Sequence, residues 1–193
     1  MCNTQPLSRL SHMATQHATL FCIALSVLAP NPCRAGLHEP PHVGLAQLPQ
    51  EWTDDSGQIL PLTTLRGQRV VVTMAFANCH RFCPLTVDEL QRMQQRADQR
   101  GEPVTFLIVS YDPVNDTADV WHRYREHHHL SRPNWHFVRG SAPDTRRLAQ
   151  QLGFTFWVYD DHVIHESHAV VFDARGNAQA ALDSHVSHWS DTL

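Results

Sequence analysis

Two cysteines, Cys79 and Cys83, stand four residues apart between an apolar run and a helical pattern. The run Val70–Phe76 has the composition of a buried strand, and Pro84 suits the first turn of a helix. Backbone N–H groups at a helix start have no helical partner, and the helix dipole favours negative charge there. Thiolates therefore form more easily here than in free cysteine, whose pKa is about 8.5. Such a pair can bind a soft metal ion, or it can cycle between dithiol and disulfide.

The N-terminal residues 1–35 have the pattern of a targeting segment. Residues 18–29 form an apolar stretch of about a dozen residues, which is too short to cross a bilayer comfortably. Small residues at Cys33 and Ala35 suit a signal peptidase, so we expect cleavage before Gly36. This predicts an exported, periplasmic protein. The alternative is an uncleaved segment that tethers the protein to the membrane.

Three of the five cysteines lie in the predicted leader. They are Cys2, Cys22 and Cys33. Cleavage would therefore leave the mature chain with Cys79 and Cys83 alone. One close pair does not make a disulfide-dense scaffold, and as a staple across so short a loop it would add roughly 2 kcal/mol. The pair thus points to chemistry more than to structural support.

Length and charge narrow the class of protein. The chain has 193 residues, which suits one domain with a substantial core behind the leader. The formal net charge of −4 is too small to indicate binding to nucleic acid or to an anionic membrane surface. The 15 histidines favour metal handling slightly, and a biased surface composition is the alternative explanation.

The remaining pattern predicts a linker at residues 36–50 and one domain at residues 51–193. Strands are predicted at Val70–Phe76, Val104–Val109, Trp135–Val138, His168–Phe172 and Ala178–Leu182. Helices are predicted from Pro84 to Gly101, and from Pro143 to Leu152 with Gly153 as the terminating residue. Between them, Asn115, Asp116 and Thr117 are cap candidates for a helix that runs to about His129. This order predicts an α/β fold whose first two long strands are parallel. Ligands of such sheets gather at the carboxyl ends of the strands, where the two thiols fall.

Four matches, in chain order, carry a resemblance to a known family. Residues 76–84 and residues 110–117 are similar to the Cys-x-x-x-Cys-Pro loop and the Ser-Val-Asp-Pro-x-x-Asp-Thr segment of the Sco/SenC copper chaperones. Gly140-Ser141 and Leu152-Gly153-Phe154 fit the family's Gly-Ser and Phe-Gly-Val spacing. His165 precedes Gly176 by eleven residues, as the family's ligand histidine precedes its turn. The resemblance covers roughly residues 50–182.

The resemblance implies a fold, a cargo and a partner. The fold would be thioredoxin-like, with a central mixed β-sheet flanked by helices. Copper, as Cu(I), Cu(II) or both, would be held by Cys79, Cys83 and His165. The protein would deliver it to the dinuclear copper centre of cytochrome c oxidase subunit II or to another copper-site protein. A thioredoxin-like reductant would be a second partner.

Several other residues are weighed against this ligand set. His162 and His168 compete with His165, but in an extended segment they point to the opposite side. Asp112 precedes a proline and suits a turn or a supporting role better than metal binding.

Two further groups of residues each have two possible interpretations. His80 and Arg81 either favour the thiolates by their positive charge or are simply exposed loop residues. The run His127-His128-His129 either binds metal or complements the dipole at a helix end.

Two other functions remain open at this stage. The same thiols could serve a thiol–disulfide oxidoreductase that acts on the cysteines of a copper-site protein. Thioredoxin-type loops have two residues between the cysteines, whereas this chain has three. A disulfide exchanger also has no use for a distant histidine, so the sequence favours a metallochaperone over an enzyme. The third candidate is a redox-signalling protein that binds copper incidentally.

Overall fold

The structure of the chain, a computed structural model, describes residues 37–77, 83–159, 162–183 and 188–193. The predicted leader at residues 1–35 lies outside these ranges. In the described parts of the chain, no helix is long and apolar enough to span a membrane.

The described ranges contain nine strands and three α-helices. The strands are Leu37–His38 (β1), Thr53–Asp54 (β2), Arg69–Ala75 (β3), Val104–Ser110 (β4), Trp135–Arg139 (β5), Phe156–Tyr159 (β6), His162–His165 (β7), His168–Phe172 (β8) and Ala178–Asp183 (β9). The helices are Cys83–Arg100 (α1), Ala118–His127 (α2) and Ala142–Leu152 (α3). Short 3₁₀ turns at Leu45–Gln47, Leu62–Leu65 and Trp189–Thr192 complete the elements. The predicted strands and helices are confirmed, with bounds shifted by one or two residues.

One seven-stranded sheet forms the centre of the domain. Its strand order is β1-β9-β8-β3-β4-β5-β2. The central strands β3, β4 and β5 are parallel, whereas β8 runs antiparallel to β3 and β9 antiparallel to β8. The sheet is therefore mixed, and the predicted parallel pairing of the first two long strands is confirmed.

The sheet separates two apolar cores because its central strands are buried on both faces. Along β3, Val71 and Ala75 pack with α1 and α2, whereas Val70 and Val72 pack with α3. This division follows from the two-residue period of side chains along a strand. Helices thus flank both faces, which explains the nearly continuous apolar composition of β3 and β4.

The helix ends follow the local sequence. Thr117 caps α2 by accepting a hydrogen bond from the Val120 N–H, and Ser141 caps α3 by accepting one from the Asp144 N–H. Gly153 ends α3 with a φ of 77°, a left-handed conformation that favours glycine. These capping residues explain why both helices begin and end close to the predicted positions.

The segment predicted as a linker at residues 36–50 belongs in large part to the domain. Leu37 and His38 pair with β9, and Leu45 and Leu48 are buried in the core on the α3 side. The Gln50 side chain donates hydrogen bonds to the carbonyls of both leucines. The linker prediction is wrong for these residues. The prolines of this segment indicated an extended linker, whereas two of its leucines are buried in the core.

Strands β6 and β7 form a separate antiparallel hairpin that the sequence analysis did not predict. Phe156 pairs with His165 in its register, and Trp157 pairs with Ile164. Phe156 and Val163 pack against the core, whereas Trp157 and Ile164 are exposed. The hairpin thus ends with His165 at the body of the domain.

Candidate functional site

The two cysteines belong to the connection from β3 to α1. Strand β3 ends at Ala75, and Cys83 is the first residue of α1. Cys79, His80 and Arg81 lie outside the described residues. The connection leaves the sheet at the carboxyl end of β3, beside the carboxyl end of its parallel neighbour β4. This is the edge at which the sequence predicts the site.

His165 lies at the same edge of the sheet. Its ring centroid is 5.7 Å from that of Phe76, which directly follows β3, and 4.7 Å from that of Tyr111, which directly follows β4. Only 5% of the histidine is exposed. Because Phe76 precedes Cys79 by three residues, the imidazole lies next to the chain that enters the thiol loop.

The backbone restrains the orientation of the His165 ring. Its Nδ1 atom lies 3.1 Å from the carbonyl oxygen of Glu166. When Nδ1 carries the hydrogen and donates it to this carbonyl, the lone pair of the neutral ring is on Nε2. A neutral imidazole of this kind is a suitable metal ligand, since a backbone carbonyl commonly orients ligating histidines.

A pair of hydroxyl groups joins the histidine segment to the helix of the thiol loop. The Thr86 Oγ1 and Ser167 Oγ atoms lie 3.1 Å apart. Thr86 is in the first turn of α1, three residues after Cys83, and Ser167 follows His165 by two residues. The first helical turn of α1 and the segment that follows the hairpin are therefore in direct contact.

Asp116 also binds the chain where it enters the thiol loop. Its carboxylate accepts hydrogen bonds from the Ala77 N–H at 3.0 Å and from the Ser110 hydroxyl at 2.5 Å. Burial raises the pKa of Asp116 to about 6, although both hydrogen bonds oppose the change. The sequence analysis treated Asp116 as a helix-cap candidate and missed this contact. Its position in the Asp-Pro-x-x-Asp-Thr-like segment was the one available signal.

Asp112, the aspartate to which the sequence analysis gave a supporting role, stabilises a turn. Its carboxylate accepts a hydrogen bond from the Asn115 side chain at 2.7 Å, and its N–H donates to the Ser110 hydroxyl. These contacts are those of an Asp-Pro turn. The interpretation of Asp112 as a turn residue is confirmed.

The competing histidines have different surroundings. The Nε2 atom of His168 lies 3.1 Å from the Leu152 carbonyl oxygen, and its ring packs edge-on against Phe154. His168 therefore contacts the end of α3. The backbone of His162 begins β7 and pairs with Tyr159, at the end of the hairpin away from His165.

The histidine run lies at the C-terminal end of α2. His127 is the last residue of α2, and His128 follows as its cap with its ring against Tyr124. Burial, together with the neighbouring imidazoles, lowers the pKa of His128. Within the described ranges, no three metal-binding side chains come together, here or elsewhere.

The residues of the predicted ligand set suit a soft metal ion by their chemistry. Thiolate and imidazole are ligands that copper and zinc accept readily. A buried imidazole beside an aromatic pair adds a neutral ligand without adding charge. The edge of the sheet thus offers a sheltered imidazole next to the loop that carries the two thiols.

Comparison with known proteins agrees with this architecture. The SCO1/SenC family model matches residues 45–190. A SCO1 protein homolog of Bacillus subtilis (strain 168) is 24% identical over 123 residues, which cover 62% of this chain and 64% of that protein. The chain therefore spans less than two thirds of this curated relative.

Two solved structures have the same fold. Arabidopsis thaliana ScoI with copper bound is 20% identical, with a TM-score of 0.66 over 75% of this chain and 90% of that chain. BsSco, described as a Sco family cytochrome c oxidase assembly protein with a disulfide switch, is also 20% identical. Its TM-score is 0.69 over 81% of this chain and 92% of that chain. These likenesses confirm the predicted thioredoxin-like fold with a central mixed sheet flanked by helices. From the family match over residues 45–190, the chain belongs to the SCO1/SenC family.

Proposed function

We propose that this protein is a copper-binding metallochaperone that holds copper through Cys79, Cys83 and His165. The observation that carries the proposal is the position of His165, buried against Phe76 and Tyr111 at the edge from which the thiol loop leaves the sheet. Family membership and the copper-bound Arabidopsis thaliana ScoI give further support.

Each ligand has a distinct task in this proposal. The thiols supply soft, negatively charged ligands, and the N-terminus of α1 favours their ionised form. The imidazole of His165 adds a neutral nitrogen that suits both Cu(I) and Cu(II). The aromatic neighbours Phe76 and Tyr111 shield that side of the site from water.

The recipient in this proposal is a copper-site protein of cytochrome c oxidase assembly. BsSco, which has the same fold, is described as belonging to that process. The specific recipient we propose is the dinuclear copper centre of cytochrome c oxidase subunit II. Transfer of copper from the loaded protein to the isolated soluble domain of that subunit tests this assignment.

Export of the protein is part of the same proposal. The leader at residues 1–35 would direct the chain across the membrane, with cleavage before Gly36 or retention as a tether. N-terminal sequencing of the protein from the periplasmic and membrane fractions distinguishes the two. A full-length chain in the cytoplasm would contradict export.

Anaerobic titration of the reduced domain with Cu(I), in competition with a coloured chelator, tests copper binding. The wild type should bind one copper ion, and the Cys79→Ser, Cys83→Ser double variant should bind none at this site. His165→Ala should keep the stoichiometry but bind at least about tenfold more weakly, because one of three ligands is lost. Wild-type binding by the double variant would reject the proposal.

A matched histidine variant controls for general effects of losing an imidazole. His168→Ala removes a ring that contacts the end of α3 rather than the thiol edge. It should leave copper affinity unchanged once folding is verified by circular dichroism. Equal losses in His165→Ala and His168→Ala would remove His165 from the ligand set.

A thiol–disulfide oxidoreductase is the second candidate, supported by the disulfide switch described for BsSco. In this function a thiolate of the reduced pair attacks a disulfide of a copper-site protein. The pair Cys79 and Cys83 becomes the disulfide, and the target becomes the dithiol. A thioredoxin-like reductant then restores the pair with its own two electrons. Full oxidase assembly in cells that carry His165→Ala, but none with either cysteine variant, would favour this function.

A further inference from the structure

The hydroxyl contact between Thr86 and Ser167 connects the two parts of the proposed site outside its ligands. The two oxygen atoms lie 3.1 Å apart and are partly buried. One hydroxyl belongs to α1 and the other to the segment between β7 and β8. The contact joins residues 81 positions apart in the chain, so only the tertiary structure brings them together.

Thr86 belongs to the first turn of α1, which begins at Cys83 three residues earlier. Backbone hydrogen bonds hold a helical turn together, so its residues move as a unit. Thr86 is 4% exposed, so its hydroxyl acts inside the protein rather than in water. A movement of Thr86 therefore moves the helical turn that begins with Cys83.

Ser167 stands just as close to the histidine. It follows His165 by two residues, and the intervening Glu166 supplies the carbonyl that restrains the His165 ring. The rings of Phe76 and Tyr111 hold the imidazole from the strand side. The Ser167 hydroxyl links the same short segment to α1.

We propose that Thr86 and Ser167 are positioning residues whose hydroxyl contact sets the distance between the His165 imidazole and the helical turn of Cys83. This inference rests on the proposed function, because it concerns how strongly His165 contributes to copper binding. The two hydroxyls are not members of the proposed ligand set. They act through His165.

Removal of either hydroxyl tests the inference. Thr86→Val and Ser167→Ala should each lower Cu(I) affinity about fivefold, the size expected from one lost neutral hydrogen bond of about 1 kcal/mol. The double variant should be no weaker than the single variants, since the same contact is lost in each. In the Cu(II) form, pulsed electron paramagnetic resonance should show a weaker imidazole nitrogen coupling.

The His165→Ala background separates positioning from general support. There, Thr86→Val should cause no further loss of affinity, because the hydroxyl acts through the histidine. With His165 present, Thr86→Ser keeps the hydroxyl and should retain the wild-type nitrogen coupling. Thr145→Val is the matched control, since Thr145 is likewise buried and is the fourth residue of its helix, α3.

A metal-free measurement provides an independent readout. Nuclear Overhauser contacts between the His165 and Tyr111 rings, which pack 4.7 Å apart between centroids, should weaken in Ser167→Ala and persist in Thr145→Val. Unchanged affinity, nitrogen coupling and ring contacts in both hydroxyl variants would overturn the inference. If Cys79→Ser, Cys83→Ser then still abolished copper binding, the proposed function would stand without it. Copper binding that survives the cysteine changes would remove the proposed function itself.

Discussion

At the scale of single residues, a buried carboxyl group beside the thiol loop has a strongly raised pKa. Asp116 is 3% exposed and bonds to both the Ala77 N–H and the Ser110 hydroxyl. Its two hydrogen bonds connect the end of β3 with the end of β4. Burial of the charge nevertheless dominates, which raises the pKa of Asp116 to about 6.

This raised pKa predicts a pH dependence of stability. Between about pH 4 and pH 6 the folded state binds a proton that the unfolded chain has already lost, so stability falls as the pH rises through this window. The shift from 3.8 to about 6 corresponds to about 3 kcal/mol. Asp116→Asn should remove most of this slope. Urea unfolding at several pH values measures it.

An exposed carboxylate provides the control for this experiment. Asp119→Asn makes the same charge change in the exposed first turn of α2 and should leave the slope in place. A slope that persists in Asp116→Asn would assign the pH dependence to other groups.

At the scale of elements, close packing between the end of β5 and an early loop explains the Gly140-Ser141 pair. Ser141 caps α3, whereas Gly140 lies against the indole ring of Trp52. A Cβ atom at position 140 would lie 2.7 Å from the Trp52 Cζ3 atom. Since Trp52 is fully buried, its ring has no room to yield.

Gly140→Ala should therefore destabilise the domain by overpacking. We expect the free energy of unfolding to fall by about 1–3 kcal/mol, as measured by urea denaturation. Gly153→Ala is an informative comparison, because its cost of about 1–2 kcal/mol would come from the left-handed backbone rather than from a clash. An additional Trp52→Phe change should recover part of the Gly140→Ala loss but none of the Gly153→Ala loss. Equal recovery in both would contradict the packing explanation.

At the scale of the whole molecule, the last described residues complete the core on the α1 side. Trp189 is 2% exposed and packs in the cluster that includes Leu90 and Met93 of α1. Its indole N–H donates to the Asp183 carbonyl at 2.9 Å, and its backbone N–H donates to Glu89. The short 3₁₀ turn at Trp189–Thr192 therefore covers the helix that begins at the thiol loop.

Removal of this indole should have a large effect on stability. Trp189→Ala should lower the free energy of unfolding by about 3–5 kcal/mol, the usual cost of deleting a buried aromatic side chain. Trp157→Ala is the matched control, because Trp157 is 50% exposed on the hairpin and should cost far less. Thermal unfolding of both variants measures the difference. A loss in Trp189→Ala as small as that expected for Trp157→Ala would mean that Trp189 contributes little packing.

The sequence by itself determined most of the elements and the place of the thiols in them. Continuous apolar runs identified β3, β4 and β8, and capping residues such as Thr117 and Gly153 identified helix ends. These features are local, because periodicity and capping depend on residues within one or two turns of each other. The α/β class and the site at the carboxyl edge followed from their order.

Only the tertiary structure decided which distant groups meet at that edge. The contact of His165 with Phe76, the hydrogen bond from the Ala77 N–H to Asp116 and the pairing of Thr86 with Ser167 all join separate segments. The burial of Leu45 in a segment predicted as a linker is of the same kind. No local pattern encodes such contacts, because they depend on the path of the chain across the sheet and on the space that other side chains leave.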